Sequence, residues 1–116
     1  MRIKLLLLLA LGALASCQSP LPLIHFPDGK APLNKIFSFE IELLDGPAES
    51  VSVDADMPSH GHGMITEPVV TKIDAAHYKV DGMILHMPGY WEIYVELTRD
   101  GESERFMVPL TLEAWE

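Results

Sequence analysis

The chain has 116 residues, one cysteine and a formal net charge of −9, from 17 acidic and 8 basic side chains. So acidic a composition repels nucleic acid and gives no polybasic patch for anionic lipid. A lone cysteine excludes an intramolecular disulfide framework, and the length suits one domain with its own core.

Taken from the start, Arg2 and Lys4 precede an uncharged apolar run over residues 5–15. The run has the size of a secretory h-region and falls short of the roughly 20 residues of a membrane-spanning helix. It ends in Leu14-Ala15-Ser16-Cys17, which resembles the bacterial lipobox. The resemblance implies that residues 1–16 are a signal peptide and that a lipidated Cys17 begins the mature chain. Acyl chains then anchor the protein in a bilayer, each buried CH₂ contributing roughly 0.8 kcal/mol. Losing Arg2 and Lys4 with the leader takes the net charge from −9 to −11. An Asp after the cysteine would favour inner-membrane retention in enteric bacteria. Gln18 stands there instead and points to the outer membrane, with the domain in the periplasm or at the cell surface.

Residues 17–34 carry Pro20, Pro22, Pro27 and Pro32 and read as a stiff, extended tether. Leu21, Leu23, Ile24 and Phe26 give part of it the means to pack as an edge strand, where proline is tolerated. From residue 35 to the end the sequence has a period of two. Phe37, Phe39, Ile41 and Leu43 alternate with polar residues, as do Val51, Val53, Ala55 and Met57, with an Asp45-Gly46-Pro47 turn between the runs. Residues 69–73 form a short β-branched run, and Tyr78 and Val80 share a face after the Asp74-Ala75-Ala76 turn. Trp91, Ile93, Val95 and Leu97 mark a further strand. Asp100-Gly101 signals a hairpin into a last strand bearing Phe106, Val108, Leu110 and Leu112. These runs predict an all-β, immunoglobulin-like antiparallel β-sandwich of six to eight strands, with a small barrel as the alternative. The expected core is Phe39, Ile41, Val53, Trp91, Ile93, Val95, Phe106 and Val108.

Two stretches combine histidine with methionine. The first is Met57-Pro58-Ser59-His60-Gly61-His62-Gly63-Met64, and the second is Met83-Ile84-Leu85-His86-Met87-Pro88-Gly89. In an extended loop His60 and His62 project to one side. Thioethers suit Cu(I), and imidazole suits copper and zinc. If the strand ending at Met57 lies antiparallel to the strand bearing Trp91, then His60, His62, Met64 and His86 meet at one end of the sandwich. Met57 and Met87 are supporting candidates. The bland alternatives are methionines that fill the core and histidines that are solvated or structural. His25, His77 and Met107 lack such neighbours, and the two histidines read as surface residues.

Residues 54–64, the Tyr78-Lys79-Val80 run, the Leu85-His86-Met87-Pro88-Gly89-Tyr90-Trp91-Glu92 segment and the Asp100-Gly101 turn together resemble the YtkA-like/FixH-like domains over residues 33–112. The resemblance implies an immunoglobulin-like sandwich of the periplasm or cell surface. Some members are linked to copper handling and to the assembly of haem-copper oxidases. FixH proteins carry a membrane-spanning helix, where this chain is expected to carry a lipid anchor.

The expectation is a non-enzymatic lipoprotein that binds or delivers copper. The alternative is a metal-free sandwich that docks a membrane or periplasmic protein. No serine sits in an elbow or triad context and no glycine-rich phosphate loop leads into a helix, so an enzyme is not expected.

Overall fold

The structure, a computed structural model, describes residues 20–114, so the signal-peptide reading and Cys17 lie outside the described residues. Eight strands form two four-stranded antiparallel sheets. They are β1 (Leu23–His25), β2 (Phe37–Glu42), β3 (Ser50–Met57), β4 (His62–Gly63), β5 (Val69–Lys72), β6 (His77–Met83), β7 (Gly89–Arg99) and β8 (Glu102–Leu112). The spatial orders are β1-β2-β6-β5 and β4-β3-β7-β8. Strands one, two, six and five against four, three, seven and eight is the immunoglobulin arrangement, with one of the two strands that variable-type domains add beside the third. The chain crosses between sheets from β2 to β3, from β4 to β5 and from β6 to β7.

Alternation along each strand makes the core. Trp91, Ile93, Val95 and Leu97 of β7 are buried, while Glu92, Tyr94 and Glu96 face outward. Phe39 and Ile41 of β2, Tyr78 and Val80 of β6, and Ala55 and Met57 of β3 close the core from their sides. Two expected core residues differ. Val53 and Val108 are only half-buried, although they pack against the core. Their strands explain it: β8 is an edge, and β3 beyond its two-residue partner β4 is nearly one. Trp91 is in the core as expected.

One irregularity changes which residues point inward. The β2–β6 register runs from Phe39↔Val80 to Phe37↔Met83, so β6 carries one extra residue there. Gly82 has φ +84, a left-handed conformation that glycine adopts without strain. This bulge reverses the phase of β6, so that Met83 and then Leu85 turn into the core.

The tether is partly folded on to the domain. β1 pairs with β2 through Leu23↔Glu42 and His25↔Glu40, and Ala31 is buried. The Asn34 N–H donates to Leu85 O at 2.8 Å. At the far end Asp100 (φ +50) and Gly101 (φ +78) make the two-residue β7–β8 turn that the Asp-Gly pair predicts.

Candidate metal centre

The β3–β4 connection builds the first half of the site. Pro58 opens a 3-10 turn over Pro58–His60, and Gly61 ends it at φ +68, its N–H donating to Met57 O at 3.1 Å. The chain then doubles back, pairing Met57 with His62 and Asp56 with Gly63. Residues directly opposite in an antiparallel pair present their side chains to the same face. Met57 faces the core, so His62 is drawn inward and half-buried. Gly63 is needed for close approach: a Cβ there would lie 3.0 Å from Asp56 Oδ1 and 3.1 Å from Ala55 O.

The second half comes from the β6–β7 crossover. Because β7 pairs antiparallel with β3 through Asp56↔Glu92, its first residues lie beside the end of β3. His86 thereby reaches His62. The ring centroids are 5.2 Å apart for His62–His86 and 5.7 Å for His60–His62. His62 thus has ring contact with both of the others, with His60 exposed and His62 and His86 half-buried.

Trp91 lies within ring contact of both inner imidazoles. Its centroid is 6.2 Å from that of His62 at 68° and 5.7 Å from that of His86 at 72°, both edge-on arrangements. Its Nε1–H donates to Met87 O at 2.9 Å, which ties the His86–Met87 loop to β7. The tryptophan was legible in the sequence only as a core residue; its contact with the histidines follows from the β3–β7 register.

Hydrogen bonding separates the histidines. His62 Nδ1 lies 3.1 Å from Gly63 O. His86 Nδ1 is buried without a hydrogen-bond partner, alone in this among the side-chain nitrogens and oxygens of the described residues. A buried polar atom with no protein partner is costly, which leaves His86 Nδ1 available to a water or an ion.

The methionines divide. Met57 is fully buried, its Cε 3.1 Å from where a Cβ on Gly89 would sit. Met64 and Met87 are half-buried against the core at the same end of the sandwich. Among the described residues no three His, Cys, Asp or Glu side chains are grouped as a metal site. An ion held here would therefore need a thioether beside the imidazoles.

His25 and His77, read from the sequence as surface residues, converge on one glutamate. His25 Nε2 is 3.2 Å from Glu42 Oε1, and His77 Nε2 is 4.0 Å from Glu42 Oε2. His77 Nδ1 also meets Asp74 Oδ1 at 2.8 Å. The Asp74 hydrogen bond raises the His77 pKa above its ordinary value. The Asp74 carboxylate, accepting from the Ala76 N–H first and from His77, is held below the usual range. The signal for this cluster was cross-strand register, which sequence spacing does not carry.

No protein-family model, curated protein or solved structure matches the chain.

Proposed function

We propose that this protein is a lipid-anchored, non-enzymatic component of the bacterial cell envelope that binds copper and hands it on, with Cu(I) the favoured ion. The observation that carries the reading is His62 in ring contact with both His60 and His86, with an unpartnered buried nitrogen at His86. His62 and His86 are the first ligands, His60 the exposed one, and Met64 and Met87 supply thioethers. Met57 is a candidate only if its side chain turns out from beneath Gly89. The donor set is soft and neutral, which suits Cu(I) and serves Mg²⁺ or Ca²⁺ poorly. Copper here is cargo: the protein contributes ligands that hold it and one exposed histidine through which it can leave. Protons compete with metal for imidazole, so loading weakens as the medium is acidified. The YtkA-like/FixH-like resemblance, the acylated Cys17 and an outer-membrane position with the domain in the periplasm or at the cell surface belong to the same proposal.

The absence, among the described residues, of a grouped His, Cys, Asp or Glu trio favours a second reading. In it the sandwich docks a membrane or periplasmic protein without metal. Titrating the purified full chain with Cu(I) under reducing conditions separates the two. Stoichiometric uptake that is lost in His62→Ala and His86→Ala supports copper binding. No binding tighter than micromolar moves the assignment to the docking module.

A further inference from the structure

We infer that Asn34, at the end of the tether, is a positioning residue for His86. The inference deepens the metal reading above and rests on it for its functional weight, although the placing of the ring is a property of the metal-free chain. Residues 84–88 lie between β6 and β7, outside the strand ladders. His86 Nδ1 is buried without a partner, so that nitrogen does not fix the ring. The backbone on either side does. Leu85 O accepts from the Asn34 N–H at 2.8 Å, and Met87 O accepts from Trp91 Nε1–H at 2.9 Å. Leu85 O belongs to the planar peptide unit that carries the His86 nitrogen, so the Asn34 bond sets how that plane is turned. The Leu85 side chain is fully buried and holds the other end of the unit in the core.

The conformation of Asn34 is what presents its N–H. Its φ is +54, in the left-handed region, which asparagine enters more readily than other residues with a side chain. Rotation about the N–Cα bond sets where the N–H points relative to the chain that leads into β2. The side chain is exposed, so burial does not explain the conformation. Asp100, the other non-glycine residue at positive φ among the described residues, serves the β7–β8 turn; Asn34 serves no hairpin. The segment that carries it is itself held down. Ala31 is buried, and the Phe26 ring lies 6.2 Å from that of Phe37 and 5.5 Å from that of Phe39. A donor fixed by the folded part of the tether therefore reaches across to the loop that bears His86.

The test compares Asn34→Val with Asn34→Gly in the full chain in detergent. Both keep the backbone N–H; glycine takes a positive φ freely and a β-branched residue does not. Without metal, Asn34→Val should shift the His86 ring signals in an NMR spectrum and speed exchange of the residue 34 amide, while His77, at the other end of the sandwich, stays unshifted. Asn34→Gly should restore both to near the wild-type values. Cu(I) affinity should fall about tenfold in the valine variant, the worth of one hydrogen bond, and stay within about twofold in the glycine variant. Unshifted His86 signals in a folded Asn34→Val overturn the inference. So does an Asn34→Gly that shifts them as much as valine does. If the valine variant does not fold, the wild type decides: an Asn34 amide that exchanges as fast as an unstructured one overturns the inference, and a protected one upholds it. A wild-type chain that takes up no Cu(I) removes the metal reading, while the NMR comparison still decides whether Asn34 places His86.

Discussion

A single side chain, Trp91, joins the core to the candidate site. It has no exposed surface, and its indole N–H is satisfied by Met87 O. Trp91→Ala should therefore cost about 3–5 kcal/mol of stability, most of what a small domain has, by loss of burial and creation of a cavity. Urea denaturation of the variant measures it, and a loss under about 1 kcal/mol would mean that the core closes over the gap. Gly63 acts at the same scale by a different cause. A methyl there meets Ala55 O at 3.1 Å, a backbone atom that cannot swing aside as Asp56 Oδ1 can. Gly63→Ala should destabilise by about 1–3 kcal/mol and displace His62. The His62 ring signals in an NMR spectrum report that displacement, and unshifted signals would show that the β3–β4 pairing absorbs the methyl.

Among the elements, the strands were legible and their ends were not. Alternation located β2, β3, β7 and β8 because one face of each is buried and the other solvated. The same rule could not see the bulge at Gly82, where one extra residue turns Met83 inward, because a pattern of period two has no mark for a phase change. Nor could it bring His25 and His77 to Glu42, since that meeting depends on the β1–β2 and β2–β6 registers. The β5–β6 turn gives a pH prediction. Asp74 Oδ1 accepts from the Ala76 and His77 backbone N–H groups, at 2.9 Å each, and from the His77 ring at 2.8 Å. His77, raised above its ordinary 6.5, contributes stability that is present in full below that value and is lost as pH rises through its folded value. Asp74, lowered from 3.8, contributes stability present above that value and lost as pH falls through its folded one. The turn is therefore firmest between the two ordinary values. An NMR titration should find His77 above 6.5, and Asp74→Asn should bring it down. Equal midpoints in the two proteins would mean that the ring and the carboxylate do not share a proton in solution.

At the scale of the whole molecule the two ends of the sandwich have different tasks. The histidine cluster sits where β3 ends and β7 begins, beside the start of β2, whose Phe37 pairs with Met83. The tether enters at the other end, where Leu23 lies opposite Glu42 and Glu42 opposite His77. The sequence made the convergence of His60, His62 and His86 foreseeable, because one antiparallel neighbour relation suffices for it. It could not show the opposition of tether and histidines, which depends on the strand order of the other sheet. Along β2, whose Phe37 lies at the histidine end and whose Glu42 lies opposite Leu23, the two ends are separated by roughly 17 Å at about 3.3 Å per residue. With Cys17 acylated as proposed, the anchor would join the domain at the end of the sandwich opposite the histidines. Two outcomes follow for the full chain in its host. Cys17→Ser should move the protein from the membrane fraction to the soluble one or leave the leader uncleaved, and intact-mass analysis of the native protein should show lipid on the cysteine. A soluble chelator should also withdraw Cu(I) from the vesicle-bound protein as fast as from the Cys17→Ser form, because on this proposal the histidine end would lie away from the bilayer. Withdrawal that slows markedly on the vesicle would place the cluster against the lipid, with the domain folded back along its tether.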